Sequence, residues 1–282
     1  MVIIKTPEEI EIMAEGGKIL AGIMEKLKKQ VKPGITTKTL DRLAESLISL
    51  SSDLRRPKPT TVGEGRSLAK EDKIKCSFKG YQDFPACLCT SINEEIVHAV
   101  PSDRVLKEGD IISLDLGLFL KGFHTDMAIT LPMGKVNSEI QRLIDVTKKA
   151  LEMGIEKSKA GNRIGDISRA IQKYVEKEGF NVVRELCGHG IGRNIHEDPE
   201  ILNSVSFDKI TVDKVRFTGD GNIKIREGMV LCLEPMVTVG DWHIKKSKDG
   251  FGYTTKDGSL SCHFEHTVAV TKNGYQILTE LK

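Results

Sequence analysis

Residues 109–131 read GDIISLDLGLFLKGFHTDMAITL, two apolar runs that meet at Lys121-Gly122, with Asp115 set into one arm and Asp126 into the other. With Lys121 and Gly122 as turn residues, Asp115 faces Ala128 across the hairpin and Asp126 faces Gly117. Side chains alternate faces along a strand, so the two acids emerge on one face, a diagonal of about 7–8 Å apart. Leu114, Leu116 and Leu118 fill the opposite face, while Ile111, Gly117 and Ala128 flank the acids. Both faces are therefore expected to be covered. Burying ionised carboxylates without a partner is costly, and a shared metal answers that cost better than two solvated acids would.

The rest of the composition is that of an ordinary folded domain: 282 residues, 39% hydrophobic and 29% charged. A net charge of +2 argues against a protein whose main task is gripping nucleic acid. Cys76, Cys87, Cys89, Cys187, Cys232 and Cys262 form no CxxC pair and no zinc-ribbon spacing, and are expected to be free thiols in a reducing compartment. The start, MVIIK, lacks a signal-peptide layout, and no apolar run approaches ~18 residues, so a cytoplasmic location is expected.

Thr6-Pro-Glu-Glu opens a helix with a cap, a first-turn proline and two acids at its positive end. Ile10, Met13, Gly17, Leu20, Ile23, Met24 and Leu27 give it one apolar face, and Lys32-Pro-Gly stops it. Thr36 or Thr37 caps a second helix. A further helix pair is predicted at roughly 138–158 and 165–178. KPGITTKTLDRLAESLI (32–48) lies over KAGNRIGDISRAIQKYV (159–175) at an offset of 127, which suggests two related halves in a single domain spanning 1–282. Residues 51–75, rich in Ser, Pro and charge, read as an exposed insertion. Residues 203–226 read as a second, with Val215/Phe217 and Ile223/Ile225 flanking Gly219-Asp-Gly in a hairpin signature.

Two later strands, VLCLEPMVTV (230–239) and CHFEHTVAV (262–270), each carry one inward acid, Glu234 and Glu265. CGHGIGRNIHEDP (187–199) surrounds His189 with glycines that let backbone approach closely. Four inward carboxylates with one imidazole suit two divalent cations, four negative charges against four positive. Such oxygen-rich ligation differs from closed structural zinc and matches hydrolases that activate a water between paired metals.

The strings SINEEIVHAVP, DLGLFLKGFHTD, CGHGIGRNIHEDP, LEPM and HFEHTVAVT resemble, in order and spacing, those of type I methionine aminopeptidases. The resemblance covers nearly the whole chain apart from the two insertions. It implies the α/β (α+β) pita-bread fold, two pseudo-symmetric halves around a curved, mainly antiparallel sheet with helices outside. It implies a metalloexopeptidase that removes the initiator methionine by attack of a metal-bridging hydroxide on the first peptide bond. Asp115, Asp126, His189, Glu234 and Glu265 fall on the family's metal ligands, with Asp126 and Glu265 as bridges. His98 falls on a substrate-contacting histidine near the scissile bond and His196 on one that steadies the carbonyl oxygen, while Glu234 would also handle the proton. Tyr81, Phe84, Cys89, Ile195 and Phe251 match the methionine pocket.

The resemblance further implies two divalent ions (Co, Mn, Fe or Zn) as cofactors and nascent polypeptide N-termini as substrates. A monomer is expected and an association with the ribosome is left open; neither nucleic acid as substrate nor a membrane is implied. The chain departs from the pattern in its two insertions, in His263 where Gln is common, in Ala99 for a frequent Gly, and in Ile195 and Phe251 where larger aromatics occur. None of these removes a ligand. Alternatives are a proline-specific pita-bread peptidase, which usually carries an additional N-terminal domain, and a non-catalytic binding relative, which would lack ligands. His124, His266 and His243 read as non-catalytic, and His263 shares a face with Glu265.

Overall fold

Thr6 and Glu9 close a capping box at the start of the first helix, each side chain meeting the other's backbone N–H. The computed structural model describes residues 1–54, 73–205 and 219–280. Its helices are α1 (Pro7–Lys28), α2 (Thr37–Leu54), α3 (Ser138–Lys157) and α4 (Ile164–Lys177). Before α3 come β1 (Lys75–Cys76), β2 (Leu88–Ile92), β3 (Glu95–Val97), β4 (Ile111–Leu120) and β5 (Phe123–Pro132). After α4 come β6 (Asn181–Val182), β7 (Cys187–Gly190), β8 (Glu197–Leu202), β9 (Val230–Leu233) and β10 (Met236–Thr238). The chain ends through β11 (Ile244–Lys246), β12 (Tyr253–Thr255), β13 (Ser261–His263), β14 (Glu265–Thr271) and β15 (Gly274–Ile277).

The main sheet runs β1-β4-β5-β14-β9-β7-β8, with β2 added on β4 and β15 on β14, and every pairing is antiparallel. It curves as a half-barrel with the helices against it, the pita-bread architecture, and one large apolar cluster joins helices and sheet. The hairpin has the register read from sequence: Asp115 pairs with Ala128 and Gly117 with Asp126. Lys121 and Gly122 both take positive φ, 49° and 89°, as a tight two-residue turn between right-twisted strands requires.

Two-fold repetition is visible in the backbone. Gly34 N–H donates to Leu106 O and Leu106 N–H to Ile35 O; Gly161 N–H donates to Ile225 O and Ile225 N–H to Asn162 O. Bridges Thr36–Val105 and Arg163–Lys224 sit just ahead of α2 and α4. The helix ends of these pairs keep the offset of 127, but their partners are 119 apart. That second offset lays LKEGDIISLDL over IREGMVLCLEP and superposes Asp115 on Glu234.

Four expectations need correction. Cys76 and Cys87 are joined in a disulfide, so only Cys89, Cys187, Cys232 and Cys262 are free. The insertion at 51–75 is narrower than it reads: α2 continues to Leu54, Ile74 is buried and β1 pairs with β4, while residues 55–72 lie outside those described. At 203–226, Gly219–Asn222 is a 3-10 turn in place of a hairpin tip, and Ile225 is buried in the core; Val215 and Phe217 lie outside the described residues. The single strands expected at 230–239 and 262–270 each break, at Glu234-Pro235 and at Phe264, into β9/β10 and β13/β14. Pro235 has no N–H to continue a ladder. Glu234 therefore stands where the chain leaves the main sheet for the small sheet β13-β10-β6, and Glu265 where it returns.

Candidate metal centre

Directly paired residues share a face of the sheet, and the registers give two neighbouring rows. One carries Cys89, Asp115, Ala128 and Glu265; the next carries Gly117, Asp126, Cys232 and His189, with Thr267 linking Asp126 to Cys232. Glu234 follows immediately on the last paired residue of β9. The hairpin thus supplies two carboxylates, β14 the third, the end of β9 the fourth and β7 the imidazole. Two of the glycines around His189 serve sheet packing: a Cβ on Gly188 would lie 2.3 Å from Cys232 O, and one on Gly190 2.2 Å from Asp198 O.

Carboxylate oxygens of Asp115, Asp126 and Glu265 lie within 4.8 Å of one another, and Glu265 also joins His189 and Cys232 in a second such group. Asp115 Oδ1, Asp126 Oδ1 and Glu265 Oε1 are buried without any hydrogen-bond donor. His189 Nδ1 is 2.8 Å from Gly190 O, an atom that can only accept, so Nε2 keeps the lone pair; it lies 3.6 Å from Glu234 Oε1. Buried anionic oxygens facing each other with a free imidazole nitrogen beside them fit a pair of divalent cations. Glu265 is common to both groups. Cys232 is a donor that sequence reading did not nominate as a ligand; its parity with Glu234 on the same run was the available signal.

The electrostatics agree. Burial pushes Asp115 up to about 6, against a lowering pull from His263. Asp126, Glu234 and Glu265 are raised well above the usual carboxylate range, by burial first and then by the charge of neighbouring carboxylates, Asp115 acting on all three. His189 is driven down to about 3 by burial and by neighbouring His196, and is a neutral donor.

The cluster floors a cavity of about 370 Å³ whose wall includes Tyr81, Phe84, Cys89, His98, Ile195, His196 and Phe251, every sequence-nominated pocket residue. Phe84 and Phe251 meet edge-to-face at 5.5 Å and pack with Ala86 and Cys89 into an apolar end. Tyr81 Oη is 2.9 Å from His196 Nδ1, and the His196 and His189 rings are 4.4 Å apart. His98 ends β3 with φ +58°, a strained backbone of the kind held at functional sites. Its pKa falls to about 4 through burial against the cavity wall, with His263 and His196 adding to the effect. Phe78, Leu186 and Tyr253 also line the cavity and were missed; Phe78 was signalled by its three-residue spacing from Tyr81 and Phe84. His263 is buried and its Nε2 stands 3.6 Å from Glu234 Oε2. His124, His266 and His243 bond instead to Ser77, Thr279 and Asp241.

The model of metallopeptidase family M24 matches residues 11–272. Methionine aminopeptidase 1 of Bacillus subtilis is 42% identical over 281 residues, covering all of both chains. The crystal structure of methionine aminopeptidase from Thermotoga maritima superposes with a TM-score of 0.85 at 38% identity, over 99% of this chain and 100% of that one. Prolidase from Pyrococcus furiosus shares the fold, with a TM-score of 0.71 at 20% identity over 99% of this chain and 66% of that one.

Proposed function

The chain belongs to metallopeptidase family M24 and is a type I methionine aminopeptidase, a metal-dependent exopeptidase acting on the N-termini of nascent polypeptides, and we propose the following division of labour among its residues. Asp115, Asp126, His189, Glu234 and Glu265 would hold two divalent ions, Glu265 belonging to both donor groups. When bound, the ions supply Lewis acidity toward the scissile carbonyl and toward water. Tyr81 Oη donates to His196 Nδ1 and leaves the proton on Nε2, which donates to the carbonyl oxygen as negative charge develops there. His196 is held below the usual histidine range by burial and stays neutral for this task. Glu234 takes the proton released at the attacking water and returns it to the leaving amine, with His263 Nε2 beside Oε2 steadying the carboxylate. His98 sits at the mouth, beside the residue that follows methionine.

The observation that carries this reading is the set of unpartnered, buried carboxylate oxygens opening onto one apolar-ended cavity. Fe, Mn or Co suits the oxygen-rich donor set better than Zn. Cytoplasmic residence and a monomeric state belong to the same proposal; no described helix is long and apolar enough to cross a membrane. The pocket wall offers aromatic and thiol surfaces with little to hydrogen-bond, which suits an unbranched thioether. The test is a panel of peptides with metal-loaded protein. Met-Ala-Ser should be cleaved, norleucine tolerated in first place, and β-branched or charged first residues rejected, with Gly, Ala or Ser favoured second. Cleavage of Leu- or Lys-initiated peptides as fast as Met-Ala-Ser would overturn the methionine assignment.

A further inference from the structure

We propose that Lys5 is a positioning residue for the reaction: through Glu197 it fixes the 193–197 segment that presents Ile195 and His196 to the cavity. This rests on the role read for His196. Lys5 Nζ and Glu197 Oε2 are 2.6 Å apart, and both side chains are only 2% exposed. The other carboxylate oxygen, Glu197 Oε1, accepts from Asn194 N–H at 3.1 Å, so the pair closes the turn that contains Ile195 and His196. Gly192 leaves the space the pair occupies: a Cβ there would lie 2.5 Å from Lys5 Cε and 2.8 Å from Glu197 Oε1.

Both ends of this clasp are anchored. Lys5 N–H donates to Gly228 O at 2.8 Å, in the turn that feeds β9, and Gly192 O accepts from His124 N–H on β5 at 2.7 Å. A second contact runs parallel to it, Arg193 Nη2 to Glu9 Oε1 at 2.5 Å, made by the same Glu9 whose Oε2 caps α1. The segment before α1 and its first turn thus hold, at two points, a loop some 190 residues away in sequence.

A buried ion pair adds little to stability relative to apolar residues of the same volume, so stability alone does not account for this one. Its distinctive effect is directional. It ties a carboxylate one residue from His196 to a cation outside the cavity and so keeps that carboxylate away from the metal cluster. It also leaves His196 with one orientation, set by the backbone behind it and Tyr81 in front. Misplacement of a catalytic group by about 1 Å costs on the order of 10²-fold in rate.

The test uses metal-loaded full-length protein. Lys5→Met should lower kcat for Met-Ala-Ser at least ten-fold with bound metal unchanged, and Lys5→Arg should restore most of it. Because Lys5→Met leaves a buried carboxylate unpaired, the double variant Lys5→Met/Glu197→Leu separates fold from function: its Tm should recover while kcat stays low. Should that variant not fold, Glu197→Gln, which keeps an acceptor for Asn194 but no charge for Lys5, should lose about three-fold. The His196 ring C–H resonance, which reports independently of turnover, should broaden or split in the variant used. A kcat within two-fold of wild type overturns the proposal, as does an unchanged His196 resonance beside a lowered kcat, or a lost metal equivalent. Absence of methionine-selective turnover in the wild type would overturn the role of His196 while leaving the resonance to report on the clasp.

Discussion

Asp115, Asp126, Glu234 and Glu265 are pushed toward their neutral forms by burial, the last three also by neighbouring carboxylates, whereas His189 is pushed toward its neutral form from the other side. The consequence is a metal affinity that depends on pH with a definite sign. A carboxyl with a raised pKa holds its proton to higher pH unless a cation displaces it, so binding releases protons and strengthens as pH rises. His189, at about 3, has no proton to lose and contributes no slope. Asp115, at about 6, stops contributing once the pH passes that value, while the other three carry the effect higher. Titrating metal-free protein with Mn(II) calorimetrically from pH 5.5 to 8 should show Kd tightening throughout; a flat or weakening affinity would mean the acids are already ionised without metal. At this scale the four acids were legible because each is a charged residue in an apolar run, and His189 because glycines surround it. Cys232 and Phe78 carried weaker signals, a face shared with Glu234 and a spacing of three from Tyr81, since a thiol or a phenyl ring by itself looks like core.

Hairpin parity turns those residues into a site. The β4–β5 register follows from a two-residue turn and a period of two, and it was readable from Lys121-Gly122 outward. A one-residue slip moves a whole strand's side chains to the opposite face. Inserting one glycine between Lys121 and Gly122 should therefore rotate Asp126 away from Asp115 and bring Thr125 into its place opposite Gly117. Metal stoichiometry should fall by at least one equivalent, with a stability loss of several kcal/mol from disrupted burial, measured by metal analysis and denaturant unfolding. Retention of two equivalents would show that the register is not what assembles the site. Capping signals at Thr6 and at Thr36 or Thr37 placed the starts of α1 and α2 just as clearly. The breaks at Pro235 and Phe264 were hidden, because a bend between sheets leaves the apolar alternation on either side intact. The Cys76–Cys87 bond was hidden as well, since spacing in a chain without a disulfide framework does not show which thiols meet.

Across the whole molecule the two halves bring Asp115 and Glu234 to matching places at the edge of one cavity. The helical echo at 127 was visible, but the strand echo at 119 was masked by an offset that changes between helix and strand. What no local pattern could show is how far the contacts reach: the segment around Lys5 closes on Glu197 only once the sheet has curved. We infer that this curvature assembles a two-metal peptidase from five ligands. The most direct test is turnover of Met-Ala-Ser by metal-free protein, alone and with Mn(II) or Co(II) restored, with Asp126→Ala in parallel and bound metal counted in each. The account predicts no turnover without metal, recovery with two equivalents bound, and a folded Asp126→Ala variant that stays inactive at saturating metal. Full turnover by metal-free wild type, or wild-type rates from Asp126→Ala, would contradict it.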